Sequence, residues 1–214
     1  MVRISAILLG FVSIAWCENS LTRQERREGF ELLFDGKTLR RWHSIKLGAK
    51  PAVWRVRKGI LTYEPGDSWL ATDDTYFDFV LRLEYRAGPE SDSGIFLRAA
   101  PSGDPSLTGM KLQIKSNDAG SLSGAVAAVK NMSKPDGQWN QVEITVVRRQ
   151  VTAVWNSEKI LDVNLDDAKY AGTLAARPAY GHVGLQARTA GGAVEFRNIR
   201  IKVLKIGPLF IPGK

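Results

Sequence analysis

At 214 residues, with 44% hydrophobic and 24% charged residues, the chain has the composition of a soluble globular protein and the length for one sizeable core. Its formal charge is +8, yet Arg40-Arg41, Arg148-Arg149 and Lys202/Lys205 lie far apart among acids. A nucleic-acid footprint needs clustered cations, so no nucleic-acid partner is expected.

Arg3 precedes an apolar run, Ile4–Trp16, with no acid before Glu18. This is the charged and apolar pattern of a secretory signal, too short for a comfortable membrane span. Residues 1–17 are therefore expected to be a signal peptide, and the protein to be secreted or periplasmic in a bacterium. Cys17 also stands where a lipoprotein would be acylated. Trp16 is bulky for the residue before such a cysteine, so ordinary export is preferred and a lipid anchor is the alternative. Cys17 is the only cysteine. The domain after it has no disulfide, no thiol nucleophile and no cysteine metal ligand.

Asn19–Glu28 is polar and reads as a mobile leader or a short helix. Gly29–Lys37 reads as a short apolar strand closed by an Asp35-Gly36 turn. Val53–Val56 and Gly59–Tyr63 form a hairpin pattern about Arg57-Lys58-Gly59. Trp69 follows the turn Pro65-Gly66-Asp67, at a loop–strand junction. From Tyr76 to Arg98 the chain reads as a pair of strands joined by a polar loop. Phe77, Phe79, Leu81, Leu83 and Tyr85 alternate with polar or charged residues, the period of a half-buried strand. The loop Ala87–Asp92 is rich in turn residues. On this reading Arg82, Glu84, Phe96 and Arg98 share one face, able to hold a polar ligand such as a sugar.

Met110–Lys115 alternates again, with Lys111, Gln113 and Lys115 opposite Leu112 and Ile114. Trp139–Arg148 is a long alternating strand. Val151–Asn156 and Lys159–Val163 make the next hairpin, and Asp166–Ala176 has room for one or two helical turns. Gly181–Arg188 is a strand with Leu185 inward and Gln186 outward, and Val194–Val203 closes the sheet. Trp54, Trp139 and Trp155 sit in apolar patterns as core residues; Trp69 is a candidate for stacking on a sugar ring. About a dozen short strands with regular turn signals predict an all-β sandwich or barrel.

Several chemistries are excluded. There is no phosphate-binding Gly-x-x-x-x-Gly-Lys loop, no dinucleotide Gly-x-Gly-x-x-Gly and no Gly-x-Ser-x-Gly elbow. The only histidines are His43 and His182, and His182, next to Gly181, reads as a turn or surface residue. No metal and no cofactor is expected.

The runs GFELLFDGKTLRRW, WRVRKGIL, FDFVLRLEYR, SGIFLRA, GQWNQVEI and VEFRNIRI, in this order over Gly29–Leu204, resemble the bacterial 3-keto-disaccharide hydrolase family. The resemblance implies a concanavalin A-like β-sandwich, a jelly roll of two curved antiparallel sheets, with its site on the concave sheet. It also implies cleavage of glycosides oxidised to a ketone at carbon 3, by deprotonation at carbon 2, elimination of the carbon 1 substituent and hydration. A sandwich domain is then expected over residues 29–204, with a loose tail over 205–214.

The sequence departs from the family at several positions. The family usually carries an acid where Lys111 stands, Asp-His after Gly-Leu-Gln where Ala187-Arg188 stands, and an aspartate where Ser116 stands. Gln113, Gln186 and Arg98 match. An acidic, metal-compatible site has become basic. The catalytic candidates are Glu84, Arg98 and Lys111: Glu84 or Asp92 as base, or Lys111 itself if neighbouring cations lower its pKa, with Arg98, Lys111 and Arg188 stabilising an enolate or holding an anionic sugar. Trp69, Asp92, Gln113, Gln186 and Arg188 are the substrate-binding candidates, and the partner is a small saccharide or keto-glycoside. The alternative is a non-catalytic carbohydrate-binding module with a basic concave face.

Overall fold

A computed structural model describes residues 18–115, 118–170 and 176–205. The expected signal peptide and Cys17, Ser116 and nearly all of the expected tail lie outside them. Among the described residues no helix is long and apolar enough to cross a membrane.

The elements in chain order are α1 (Arg23–Glu28), β1 (Glu31–Leu32), β2 (Trp42–Lys46), β3 (Val53–Arg57), β4 (Ile60–Glu64), β5 (Ser68–Tyr76), β6 (Phe79–Arg86), β7 (Asp92–Ala99), α2 (Pro105–Thr108), β8 (Met110–Lys115), β9 (Trp139–Val147), β10 (Gln150–Trp155), β11 (Glu158–Asn164), a 3₁₀ turn (Ala168–Tyr170), β12 (Gly181–Ala187) and β13 (Glu195–Val203). They build two antiparallel sheets. One runs β11-β10-β9-β6-β13-β4-β3, with β1 added beside β13; the other runs β2-β5-β12-β7-β8. This is the expected all-β sandwich.

Strand parity builds the core. Phe79, Leu81, Leu83 and Tyr85 from β6, with Val142, Ile144 and Val146 from β9, face Leu70, Ile95, Leu97, Leu112 and Leu185 of the five-stranded sheet. Burying each such side chain stabilises the fold by roughly 1.5–3 kcal/mol. Trp155 is fully buried, and its indole N–H donates to the Tyr85 hydroxyl at 3.0 Å, which satisfies the polar end of the ring.

The pairing within Tyr76–Arg98 differs from the sequence expectation. β6 and β7 are not partners: β6 pairs with β9 and β13, whereas β7 pairs with β8 and β12. The loop between them carries the chain from one sheet to the other. Arg82 and Glu84 therefore stand on one outer face of the sandwich and Phe96 on the opposite one. Phe77 falls in the turn before β6 and is 60% exposed rather than core, stacked on Tyr180. Trp139 is only half-buried, with the guanidinium groups of Arg86 and Arg197 over its ring. The N-terminal polar segment is the short helix α1, fixed at its start by Thr22 and Glu25 in a reciprocal capping box.

Candidate functional site

The outer face of the five-stranded sheet carries the convergent polar groups. Because successive side chains of a strand alternate, this face receives His43 and Ile45 from β2, Trp69 and Ala71 from β5, and His182, Gly184 and Gln186 from β12. β7 adds Asp92, Gly94 and Phe96, and β8 adds Lys111, Gln113 and Lys115. The register aligns Phe96 with both Gly184 and Lys111, Trp69 with Gln186, and Gly94 with Gln113. Trp69, Ala71, Phe96 and Ala99 form a small apolar cluster here, separate from the main core, with Ile45 against it.

Two glycines shape the floor. A Cβ on Gly184 would stand 2.3 Å from Trp69 Cε3, and one on Gly94 would stand 2.7 Å from Lys111 Cγ. The Trp69 ring thus lies over Gly184 and the lysine stem lies over Gly94. That stem carries the Lys111 ammonium to Gln186, whose Oε1 accepts at 3.4 Å. Gln113 donates from Nε2 to Asp92 Oδ1 at 2.7 Å. Arg188, just past β12, places Nε 3.8 Å from Asp67 Oδ1. Asp67 also accepts from the Thr189 hydroxyl at 2.8 Å and its backbone N–H at 3.2 Å.

Above this floor lies a cavity of about 650 Å³, lined by Lys46, Asp67, Asp104, Lys111, Gln186 and Arg188 among others. That volume suits a small saccharide. Burial, and secondarily the charge of Arg188, pulls the Lys111 ammonium below the ordinary lysine range, with Asp92 and Asp104 opposing. Its hydrogen bonds to Thr189, helped by Arg188, hold the Asp67 carboxyl below the usual carboxylate range.

The structure therefore brings Lys111, Asp92, Gln113, Gln186 and Arg188 onto one face. Trp69 shares it but is fully buried, edge-on to Phe96, and its indole N–H has no hydrogen-bond partner. It is part of the floor, not an open stacking platform.

Arg98 and Glu84 do not join the group. Between Phe96 and Ala99, β7 carries one residue more than β12 does between Gly184 and His182. Arg98 takes φ of 52° at this bulge, which breaks parity. Its side chain is fully buried and donates to the carbonyls of Phe77 at 2.7 Å and Arg148 at 2.7 Å, with Asp78 beside it at 3.1 Å. It ties turns of the sandwich together. Glu84 belongs to the other sheet. It accepts from Arg197 Nε at 2.8 Å, at the edge of a smaller cavity of about 240 Å³ that Glu25, Arg82, Glu143 and Arg200 also line.

Sequence reading missed Lys46, Asp67 and Asp104. Lys46 ends β2, and Asp67 and Asp104 have the local character of turn residues; Asp104 indeed caps α2 through Ser106 N–H. Their only distinguishing signal is the cavity itself, which the β2–β3, β4–β5 and β7–β8 connections close over the sheet. Among the described residues no three His, Cys, Asp or Glu side chains are arranged to hold a metal ion.

Residues 29–202 match the model of the 3-keto-alpha-glucoside-1,2-lyase-like domain. A 3-keto-disaccharide hydrolase of Bacteroides thetaiotaomicron is 26% identical over 231 aligned positions, which cover 83% of this chain and 79% of that protein. A crystal structure from Parabacteroides distasonis, provisionally named a glycosyl hydrolase, superposes with a TM-score of 0.78 at 22% identity, covering 88% of this chain and all of the other. A carbohydrate-binding module of Bacillus subtilis superposes at 0.54 with 10% identity, over 75% of this chain and 94% of the module. Both structural likenesses speak for the sandwich fold. The family match spans most of the chain, and the chain belongs to the 3-keto-alpha-glucoside-1,2-lyase-like family.

Proposed function

We propose that this protein is a carbohydrate-active enzyme that cleaves a 3-keto-glycoside in the cavity over the five-stranded sheet, with Lys111 as the base. The observation that carries the reading is the position of Lys111: a lysine on the cavity wall, aimed by Gln186, with burial favouring its neutral amine. Family membership supplies the substrate class.

A ketone at carbon 3 acidifies the hydrogen on carbon 2. The Lys111 lone pair takes that proton, and the C–H electrons become an enolate with its charge on the carbon 3 oxygen. Arg188, held in place by Asp67, supplies the positive charge for that oxygen. The enolate collapses, the bond from carbon 1 to the leaving oxygen breaks, and the Lys111 ammonium returns a proton to that oxygen. Water then adds hydroxyl to carbon 1 and hydrogen to carbon 2 of the enone, so the net change is hydrolysis. Gln113 and Asp92, tied to each other, offer hydrogen bonds to sugar hydroxyls.

Release of the aglycone from a 3-keto-glucoside, or of glucose from 3-keto-trehalose, tests the reading. Turnover falls by roughly 10²–10⁴-fold in Lys111→Gln, the size of a general-base contribution, while Glu84→Gln retains it. No release by the unaltered protein, combined with calorimetric binding of a saccharide, would instead establish a binding module. The chain is further proposed to be exported, on the strength of Arg3 and the apolar run Ile4–Trp16. Amino-terminal sequencing of the protein from a periplasmic fraction checks this, and an intact Met1 there would refute cleavage.

A further inference from the structure

The chain contains only two histidines. They are 139 positions apart, and the fold sets them side by side on the outer face of the five-stranded sheet. Their ring centroids are 5.9 Å apart with planes at 87°. His43 comes from β2, the edge strand of this sheet; His182 comes from β12, with only β5 between them.

Both rings are fixed in the same way. His182 Nδ1 lies 2.7 Å from the carbonyl oxygen of Thr72. A carbonyl can only accept, so Nδ1 carries a proton, and in the neutral ring Nε2 holds the lone pair. His43 Nδ1 lies 2.7 Å from Asp73 Oδ1. The carboxylate likewise accepts from Nδ1–H, so that in the neutral ring the lone pair lies on Nε2. A backbone carbonyl and a carboxylate are the two partners that metal-ligating histidines most often have behind them, because they fix the tautomer and raise the basicity of the other nitrogen.

From these contacts we infer that His43 and His182 form a two-histidine binding site for a divalent transition metal of the Ni²⁺, Cu²⁺ or Zn²⁺ class. Two imidazoles on one such ion, with metal–nitrogen distances near 2 Å, place their ring centroids roughly 5 Å apart. The rings stand within about 1 Å of that spacing, a difference that small side-chain rotations close. Imidazole nitrogen selects these borderline ions over Mg²⁺ or Ca²⁺, which take oxygen ligands. Asp73 acts behind His43 as a positioning residue. With two protein ligands, the remaining coordination positions are open to water or to paired oxygens of a ligand lying on the sheet. The site shares no residue with the Lys111 cavity and stands or falls independently of the keto-glycoside reading.

Titration of the tag-free full chain with NiCl₂ by calorimetry tests this site. One ion binds per chain, and His43→Gln and His182→Gln each weaken binding at least ~10-fold. Asp73→Asn weakens it by roughly 10–100-fold, the usual cost of losing such a partner. Lys111→Gln leaves it intact, which separates this result from any failure of the catalytic proposal. Electron paramagnetic resonance of the Cu²⁺ form shows coupling to two imidazole nitrogens. Absence of stoichiometric binding, or binding that survives both histidine substitutions, would overturn the proposal. His43 is largely exposed, so His43→Gln decides the matter even if His182→Gln fails to fold.

Discussion

Lys111 and Arg98 are both cations at outward-parity positions of neighbouring strands, and their environments give them opposite roles. Lys111 lines an open cavity and makes no ion pair with a carboxylate among the described residues. Burial lowers its pKa, so at any pH below 10.5 more of it is neutral than of a free lysine. The sign for catalysis follows: kcat/KM rises with pH as Lys111 loses its proton, with the midpoint of that limb below 10.5. A pH–rate profile on a 3-keto-glucoside checks this; Lys111→Arg, which stays charged throughout, loses the limb. Arg98 instead satisfies carbonyls and Asp78 in a closed interior. Arg98→Met leaves these acceptors and the Asp78 charge without their donor and costs about 3–5 kcal/mol. Urea unfolding reads that loss, while turnover per folded molecule stays unchanged because Arg98 does not touch the cavity.

At the scale of elements, α1 shows how a short helix is held by a sheet. Six residues have little helical stability alone. The capping box starts the helix, and Gly29, in the left-handed conformation at φ 86°, ends it. The Glu25 carboxylate then meets Arg200 Nη1 of β13 at 3.1 Å, both side chains being more than nine-tenths buried, and lies 3.6 Å from Arg82 of β6. A buried pair with one partner removed is strongly destabilising. Glu25→Ala is therefore expected to cost about 3 kcal/mol and to release α1, read as faster amide exchange over 22–32. A melting curve equal to that of the unaltered protein would refute the clamp. The hairpin β10–β11 was legible beforehand from its two alternating runs, but its turn falls at Asn156-Ser157, both at positive φ, one residue before the expected Ser157-Glu158. The pairing of β6 was not legible. Alternation says which side chains share a face but not which strand lies alongside.

For the molecule as a whole, the stabilising term is apolar burial between two sheets, without a covalent link. Cys17 is the only cysteine, so no internal disulfide can form. Thermal unfolding of the monomer is accordingly unchanged by dithiothreitol, and tryptophan fluorescence and far-ultraviolet dichroism report one shared transition, since both sheets contribute to the same core. A reductant-sensitive melting temperature in the monomer, or two separated transitions, would contradict this account.

Composition, turn spacing and strand parity were enough by themselves to specify an all-β sandwich or barrel, the inward sets of β6, β8 and β12, and the outward placement of Lys111, Gln113 and Gln186; the family resemblance chose the sandwich. These depend only on local geometry, because a strand's side chains alternate wherever it lies. Tertiary structure alone decided which outward sets met. It separated Glu84 from Phe96 by sending β6 and β7 to different sheets, turned Arg98 inward through one extra residue in a strand, and brought Asp67 and Asp104 over Lys111 from loops. It also set His43 beside His182. Such encounters depend on which strands become neighbours and on where a ladder slips by one residue, and both are settled by long-range packing that no local pattern encodes.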